Sequence, residues 1–300
     1  MAVVTGAARA GEAGGESRWP APAKLNLFLH VTGRRPDGYH ELQTLFQLID
    51  LCDSIAIRVR EDGVIERPVG PAGVEPGADL AVRAAHALKA ASGTHLGATL
   101  RVLKRIPQGG GLGGGSSDAA TTLHALNVLW GCHLAVPELA RLGLALGADV
   151  PVFIEGSSAW GEGLGERLTP VALPARWYAI IHPGVGVRTA EVFQSPELTR
   201  NSPLITIRGF CEPDGRNDCE RAVRALCPEV GAALEWLSAL APARLSGTGS
   251  CVFASCASAA EAERIASRVP DRWRSFVARG LNRSPLLERL GARAGRRERL

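Results

Sequence analysis

The feature that most constrains this chain is a run of glycines. Six glycines occupy the seven positions 109–115, interrupted only by Leu112. Glycine lets the backbone adopt positive φ angles and approach a ligand closely. Ser116 or Ser117 is suited to cap a helix directly after the run, with Asp118 in its first turn. A helix that begins here points free N–H groups and the positive end of its dipole at the loop, which indicates a phosphate site.

The residues in and after the glycine run distinguish between the known types of phosphate loop. A Walker A loop ends in Gly-Lys-Ser/Thr, whereas Gly115 is followed by Ser116. A G-x-G-x-x-G match at Gly109, Gly111 and Gly114 is weak evidence in so glycine-rich a run. The acidic ribose partner expected about 20 residues later is not evident, since the region near Leu134 is apolar. A dinucleotide fold is therefore the second-ranked alternative, and a flexible linker is disfavoured because linkers are longer and richer in serine.

Length and composition indicate an ordinary globular chain. With 300 residues, 46% hydrophobic and 21% charged, it has enough apolar surface for about two domains. Strand patterns and helix patterns are mixed in both halves, which predicts an α+β fold. The predicted strands cover 24–31, 54–60, 100–103, 177–182 and the two ends of 244–255, and the predicted helices cover 80–91, 116–130, 137–146, 218–226, 229–240 and 258–269.

Charge and cysteine usage exclude several classes of function. The net charge is +4, and the segment 286–300 carries five Arg and two Glu, so the remainder is near neutral and predicts no nucleic-acid face. Seven cysteines without a CxxC pair favour reduced thiols and a cytoplasmic location. No apolar run approaches 18 residues, and residues 1–17 lack the apolar stretch of a signal peptide. We expect no membrane span and no obligate protein partner.

Several polar residues are candidates for chemistry, although each also has a structural interpretation. Lys24 and Asn26 share one face of the first strand, and such a lysine is more often an edge residue. Asp149 lies between a helix end and an apolar stretch, where a turn or cap role is common. Tyr39-His40 follows a turn, and the small-residue segment 246–250 suits a hairpin or a second wall of a phosphate site. None of these features alone supports a function.

Taken together, the motifs resemble the GHMP family of small-molecule kinases, from about residue 20 to about residue 290. The general family shares the glycine loop and the late glycine turn, whereas GRRPDGYHEL and LGADVPVF resemble the branch that acts on a cytidine-diphosphate-linked methylerythritol. The stretches that carry the resemblance are PAKLNLFLHVTGRRPDGYHELQTLFQLIDL, IPQGGGLGGGSSDAATTLHALN, LGADVPVF, HPGVGVRTAEVF, GRNDCE, LSGTGSCVF and GLNRSPL.

The resemblance implies a two-domain α+β fold. The first domain would be similar to the second domain of ribosomal protein S5, and the second would be ferredoxin-like. On this basis we expect a flexible extension at 1–19, an N-terminal domain with the phosphate loop at 20–165, a C-terminal domain at 166–290 and an Arg-rich tail at 291–300.

The resemblance also implies an ATP-dependent kinase of non-mevalonate isoprenoid synthesis, which phosphorylates the 2-hydroxyl of that substrate and releases ADP. Asp149 would be the catalytic base and Lys24 its partner, which orients the hydroxyl and offsets negative charge. Asn26, Tyr39, His40, Thr189 and Phe193 would bind the acceptor, with Tyr39 and His40 at the cytosine ring. The expected ATP-binding residues are Asp79, Lys104, Pro107, Gly109, Gly110, Gly111, Leu112, Gly113, Gly114, Gly115, Ser116 and Ser117.

Two expectations concern details of the nucleotide site. Mg²⁺ is expected with the triphosphate, and Ser117 is the candidate protein ligand by analogy with hydroxyls of other phosphate loops. In Gly77-Ala78-Asp79-Leu80 the branch usually has Asn at the third position, and an ionised Asp79 only accepts hydrogen bonds. Three alternatives stay open from the sequence: a GHMP kinase for mevalonate, homoserine or a sugar, a nicotinamide-dependent oxidoreductase, and a nucleotide-binding module without turnover.

Overall fold

A long antiparallel hairpin forms the spine of the molecule. The structure is a computed structural model that describes residues 15–207 and 215–297. Strand β1 (Glu16–Arg34) pairs with β2 (His40–Arg60) along almost its whole length, with register shifts at three points. The alternation in 24–31 predicts one buried and one partly polar face, but both faces are buried, because Lys24 and Asn26 are only 2% and 3% exposed. The polar groups of β1 are therefore enclosed within the protein.

The first half of the chain builds one sheet and covers it with helices. Around β2 lie β3 (Ile65–Val69), β4 (Gly97–Leu103), β5 (Ala159–Gly163) and β6 (Arg167–Pro170), with β3 parallel to β4 and the other pairs antiparallel. The four helices pack with this sheet into one apolar core. These helices are α1 (Leu80–Ser92), α2 (Gly114–Leu129), α3 (Val136–Leu146) and α4 (Val150–Glu155).

The second half has ferredoxin-like topology, as expected. Its strands are β7 (Trp177–His182), β8 (Ala243–Leu245), β9 (Val252–Cys256) and β10 (Arg274–Leu281), in the spatial order β10-β7-β9-β8. This is the 4-1-3-2 order of a split βαβ unit. The helices of this half are α5 (Thr189–Gln194), α6 (Glu220–Leu226), α7 (Pro228–Ser238) and α8 (Ala259–Ala266), and α9 (Pro285–Arg297) returns to pack on β1.

The two halves are joined through one continuous sheet. Strand β10 pairs with β2 at Gly280↔Ile49 and Leu281↔Leu48. A separate apolar cluster, which includes Phe28, Trp160 and Phe253, fills the space where the two halves meet. The polar residues of β1 lie beside this junction, and the junction therefore positions the functional site.

Three predicted boundaries need correction. Strand β1 begins at Glu16 and Trp19 is fully buried, so the extension predicted at 1–19 is wrong for its last four residues, while 1–14 lie outside the described residues. Strand β6 pairs with β5, so the boundary at 165/166 cuts a hairpin of the first sheet. The tail predicted at 291–300 is helical as far as Arg297. Among the described residues, none of the helices is long and apolar enough to cross a membrane.

Candidate active site

A cleft of about 540 Å³ opens where the two halves meet. This volume falls within the usual range for small-molecule sites, which is about 300–1,000 Å³. The glycine loop forms its floor, while β1, the start of α4, α5 and the late glycine turn form its walls. The predicted residues that line it are Lys24, Asn26, Asp79, Lys104, Pro107, Gly109, Gly110, Gly111, Leu112, Gly113, Gly114, Gly115, Ser116, Asp149, Thr189 and Phe193.

The glycine loop uses the conformational freedom that its sequence predicts. Gly109, Gly111 and Gly113 have φ angles of 68°, 75° and 72°, in the left-handed region that favours glycine. A Cβ atom on Gly111 would lie only 2.0 Å from the carbonyl oxygen of Ser246. Position 111 therefore excludes any side chain, both by backbone conformation and by contact with the late turn.

The late glycine turn supports the loop directly. The amide of Cys251 donates to the carbonyl of Gly110 at 3.0 Å, and the hydroxyl of Ser246 donates to the carbonyl of Gly111 at 3.0 Å. Of the two interpretations of segment 246–250, a hairpin turn and a second wall, both apply. It joins β8 to β9, and its residues Gly247, Thr248 and Gly249 line the cleft.

Helix α2 begins earlier than the sequence predicts. Gly113 is its N-cap and Gly114 its first residue, and no side chain caps it. Ser116 lines the cleft, whereas Ser117 is fully buried and its hydroxyl has no hydrogen-bond partner in the described structure. Ser117 is not among the residues that line the cleft, and its predicted roles in binding ATP and a metal stay predictions. Asp118 is also not a first-turn residue, since the helix starts four positions before it.

Asp118 instead belongs to a buried charge cluster with Lys104. The Nζ atom of Lys104 donates to Oδ2 of Asp118 at 2.6 Å and to Oδ2 of Asp53 at 2.5 Å. Burial alone works against the charge on Lys104, but the two carboxylates outweigh it and raise the pKa of its ammonium group. Burial raises the pKa of Asp118, and Lys104 opposes that rise. The ammonium group of Lys104 is thus held at the cleft by two fixed carboxylates.

The predicted catalytic pair is brought together at the end of the glycine loop. The Nζ atom of Lys24, on β1, lies 3.3 Å from Oδ2 of Asp149, which immediately precedes α4. The same Nζ donates to Oδ1 of Asn26 at 2.5 Å and to the carbonyl of Gly111 at 3.0 Å. The Lys24 side chain is 3% exposed, whereas that of Asp149 is 36% exposed. The lysine is therefore fixed, and the carboxylate is open to a ligand in the cleft.

Asn26 is also fixed on both sides of its amide. Its Oδ1 accepts from Lys24, and its Nδ2 donates to the hydroxyl of Thr44 at 2.8 Å. Thr44 in turn donates to the backbone carbonyl of Phe28 at 2.6 Å. Thr44 lines the cleft but carries no motif that singles it out in the sequence, since its contact depends on the β1–β2 register.

Of the residues predicted to bind the acceptor, Asn26, Thr189 and Phe193 line the cleft. The hydroxyls of Thr189 and Thr248 lie 2.8 Å apart. His40 stacks on Phe193 with ring centroids 5.0 Å apart and contributes no lining surface. Tyr39 is 62% exposed and lies outside the cleft wall. His40 therefore contacts the wall residue Phe193, and Tyr39 is adjacent to His40 in the chain.

Arg200 organises the backbone around Phe193, and no sequence motif points to it. Its Nη2 donates to the carbonyls of Phe193 and Ser195 at 3.0 and 3.1 Å, and its Nε donates to Nε2 of His40 at 3.4 Å. Burial lowers the pKa of His40, and the charges of Arg200 and Arg34 lower it further. His40 is therefore favoured in its neutral form, which can both accept and donate a hydrogen bond.

Asn217 is a second supporting residue without a predicted role. Its Nδ2 donates to the carbonyls of Leu245 and Gly247 at 3.0 and 2.7 Å, and its Oδ1 accepts from the amide of Cys219. It therefore fixes the late glycine turn from behind. The stretch GRNDCE contributed to the resemblance, but only the structure connects its Asn to Gly247.

The donors around the cleft suit a magnesium ion that arrives with phosphates. Among residues 15–207 and 215–297, no three His, Cys, Asp or Glu side chains converge as a metal site. The cleft does present the half-open carboxylate of Asp149 and the hydroxyl of Ser116. Mg²⁺ usually takes one or two protein ligands and completes its shell with substrate phosphates and water. This sparse donor set fits such an ion.

Comparison with known sequences gives two matches to family profiles and many full-length relatives. The profile for the GHMP kinases N terminal domain matches residues 79–157, and that for the GHMP kinases C terminal matches residues 204–275. A 4-diphosphocytidyl-2-C-methyl-D-erythritol kinase from Chromohalobacter salexigens is 56% identical over 91% of this chain and 93% of its own length. One from Alkalilimnicola ehrlichii is also 56% identical, over 91% and 94%.

Comparison with solved structures agrees with the sequence comparison. A crystal structure of a 4-(cytidine 5'-diphospho)-2C-methyl-D-erythritol kinase superposes with a TM-score of 0.77 at 35% identity, over 88% of this chain and 99% of that chain. The mevalonate kinase of Methanococcus jannaschii superposes with a TM-score of 0.65 at 16% identity, over 90% and 99%. The second similarity shows a shared fold alone.

Proposed function

The chain belongs to the GHMP kinase family, and we propose that it transfers the γ-phosphoryl group of ATP to the 2-hydroxyl of 4-diphosphocytidyl-2-C-methyl-D-erythritol. The products are the 2-phosphate and ADP, in the non-mevalonate route to isoprenoid precursors. The acceptor is the one named in relatives that are 56% identical over nine-tenths of both chains.

The observation that carries the proposal is the Lys24–Asp149 pair beside the glycine loop. A carboxylate that is open to the cleft and held 3.3 Å from a buried ammonium group suits a general base for a hydroxyl. A protein that only bound a nucleotide would have no need of this pair, nor would a dinucleotide-dependent oxidoreductase. The pair therefore favours phosphoryl transfer over both alternatives.

The reaction needs little covalent participation from the protein. The acceptor oxygen forms a bond to the γ-phosphorus, and the bond from that phosphorus to the bridging oxygen of ADP breaks. The hydroxyl proton passes to a carboxylate oxygen of Asp149. The electron pair of the broken bond leaves with ADP, so charge accumulates on the transferred group and on the leaving oxygen.

Lys24 and the glycine loop would stabilise that charge. Lys24 keeps Asp149 in place and puts a fixed positive charge near the attacking oxygen, where it costs no reorganisation. The first amides of α2 have no capping side chain and can donate to phosphate oxygens. Asn26 fixes the position of Lys24, and its neighbour Thr44 adds a hydroxyl to the cleft wall.

We propose that Mg²⁺ is bound mainly by the triphosphate and water. Ser116 joins Ser117 as a proposed protein donor, because Ser116 lines the cleft. When bound, the ion would neutralise phosphate charge. A cytoplasmic location and the absence of an obligate protein partner stay predictions.

The acceptor would lie with its cytosine near Phe193 and its methylerythritol end near Asp149. Phe193 offers an aromatic face, Tyr39 is exposed and precedes His40 in the chain, and neutral His40 can hydrogen-bond a pyrimidine. Phe193 is stacked on His40, so a cytosine ring would bind on the opposite face or displace that contact.

An acceptor panel tests the function. ADP release would be measured with MgATP and 4-diphosphocytidyl-2-C-methyl-D-erythritol, beside mevalonate, homoserine and galactose. We expect turnover with the cytidyl acceptor alone. Turnover with one of the other alcohols instead would keep the kinase and reject the acceptor, and ATP binding without turnover on any would favour a binding module.

A further inference from the structure

A buried ion pair lies beside the cleft, between β3 and the start of α1. The Nε atom of Arg67, on β3, is 3.0 Å from Oδ2 of Asp79, and the two side chains are only 6% and 4% exposed. Asp79 lines the cleft, whereas Arg67 does not. The catalytic pair and the glycine loop do not use this ion pair, so it calls for a separate explanation.

Arg67 also holds the loop that precedes Asp79. Its Nη2 donates to the carbonyl of Val74 at 2.6 Å, and its guanidinium group packs so closely over Gly70 that a Cβ there would lie 1.4 Å from Nη1. Segment 70–79, here called the base wall, contributes Pro71, Val74, Ala78 and Asp79 to the cleft. Arg67 therefore contacts the base wall at two points, at Val74 in its middle and at Asp79 at its end.

The base wall faces the glycine loop across one end of the cleft. Gln108, directly before the glycines, donates to the carbonyl of Ala72 at 3.3 Å, and Leu80 lies in van der Waals range of position 115. A nucleotide with its phosphates on the glycine loop and its γ-phosphate toward Asp149 directs its base to the opposite end. Positions 114 and 115 of the loop adjoin Lys104 and Leu80, whereas position 113 adjoins Lys24, so the base is directed toward the base wall, Lys104 and Pro107.

The buried carboxylate of Asp79 needs a cation beside it, and Arg67 provides one. A buried carboxylate without a cation is costly, and the triphosphate of ATP would add further repulsion. The helix dipole of α1 helps, because Asp79 is its N-cap and accepts from the amide of Ala81 at 2.9 Å. Of the cationic side chains in the described residues, Arg67 is the one that makes an ion pair with Asp79.

We propose that Arg67 is a positioning residue for ATP: it neutralises Asp79 and fixes the base wall, and so sets the affinity for the nucleotide but not for the acceptor. The inference rests on the proposed function, because it takes ATP as the ligand of this end of the cleft. It assigns Arg67 no contact with the nucleotide.

Kinetic constants of Arg67 variants test the proposal. For Arg67→Ala we expect the KM for ATP to rise about tenfold or more, since the hydrogen bond from the charged Arg67 to the carbonyl of Val74 and the charge partner of Asp79 are lost. The KM for the acceptor is expected to change by less than about twofold, within the range of surface substitutions. Arg67→Lys keeps the charge but cannot reach both partners in the same way, so an intermediate KM for ATP is expected.

The double variant Arg67→Ala/Asp79→Asn separates charge compensation from general damage. It removes the uncompensated carboxylate, so its KM for ATP should fall back to within about threefold of that of Asp79→Asn alone, which carries the same Asn in the cleft wall. Arg101→Ala is the matched control, because Arg101 is exposed on the neighbouring strand and pairs in register with Val69. An unchanged KM for ATP in Arg67→Ala, an equal rise in both KM values, or no recovery in the double variant would each overturn the proposal.

Calorimetric titration with ATP alone keeps this inference distinct from the function. If the wild type binds ATP but shows no turnover with the cytidyl acceptor, the proposed function fails. In that case, an ATP affinity that is tenfold lower in Arg67→Ala than in wild type still supports the role of Arg67. Equal affinities overturn that role. If the wild type turns over and Arg67→Ala binds ATP equally well, only the role of Arg67 fails.

Discussion

The Nζ atom of Lys24 lies 3.3 Å from Oδ2 of Asp149, although one residue is on the first strand and the other precedes the fourth helix. The lysine is buried and bonded to Asn26 and to Gly111, so it has one position, while the carboxylate is open to the cleft. A fixed cation beside an accessible base is the arrangement that deprotonation of an alcohol requires.

Substitution of Asp149 should remove catalysis and keep nucleotide binding. We expect Asp149→Asn to lower kcat by about 10²–10⁴-fold, because an amide cannot accept the hydroxyl proton. ATP affinity, measured by calorimetry, should stay close to wild type, since the glycine loop is untouched. Glu155→Gln, at the exposed end of α4, is the control and should keep full activity. A kcat near wild type for Asp149→Asn would exclude Asp149 as the base.

Alanine at position 111 should damage both the loop and the fold. Its Cβ would lie 2.0 Å from the carbonyl oxygen of Ser246, and its φ of 75° is unfavourable for any side chain. We expect Gly111→Ala to lower the melting temperature by several degrees and to weaken ATP binding at least tenfold, consistent with a loss of about 1–3 kcal/mol. Gly115→Ala is the stability control, because the nearest atom to its Cβ is 3.6 Å away. Equal melting temperatures for the two variants would contradict the close contact between loop and turn.

Some residues of the site can be predicted from the sequence, and others cannot. The glycine loop is predicted from its own residue pattern, whereas Lys24 and Asp149 are predicted only through the resemblance of their motifs to the GHMP kinases. Arg67, Thr44, Arg200 and Asn217 are not predicted, because each acts through a contact with a residue distant in sequence. The error at Asp118 has another origin, since the helix begins within the glycines at Gly114 and not at Ser116 or Ser117, which leaves Asp118 beyond its first turn.

In the fold, too, some elements can be predicted from the sequence and others cannot. The predicted elements 80–91, 137–146 and 177–182 agree with the structure to within one residue, because local periodicity and caps define them. The length of β1 and β2 was missed, since an interior hairpin buried on both faces shows no clean alternation. Strand order and the pairing of β10 with β2 depend on long-range packing, which no local pattern records.

An aromatic substitution tests the acceptor end of the cleft. Tyr39 is 62% exposed, so Tyr39→Ala should leave the melting temperature unchanged. If Tyr39 stacks on cytosine, the KM for the cytidyl acceptor should rise about fivefold or more, as loss of one stacking contact predicts. The KM for ATP should not change. Leu204→Ala, at another highly exposed apolar position, is the control. Parallel changes in both KM values would reject a cytosine contact by Tyr39.

Stability should fall in mild acid because of buried histidines. Burial lowers the pKa of His124, although its hydrogen bond to the carbonyl of Ile154 opposes this. The unfolded chain then binds a proton more readily than the folded one, so stability is full above the ordinary pKa of about 6.5 and is lost as pH falls below it. We expect His124→Gln to reduce the fall in melting temperature between about pH 7.5 and pH 5. His86→Gln, on the exposed face of α1, should leave that fall unchanged, and an identical fall in the His124 variant would contradict the assignment.

The most direct test of the account is ³¹P NMR of a complete reaction with MgATP and 4-diphosphocytidyl-2-C-methyl-D-erythritol. The account predicts ADP and one new phosphate monoester in equal amounts, with the acceptor's diphosphate signals retained. ADP with inorganic phosphate alone, or ATP left intact beside an unchanged acceptor, would contradict phosphoryl transfer to this alcohol.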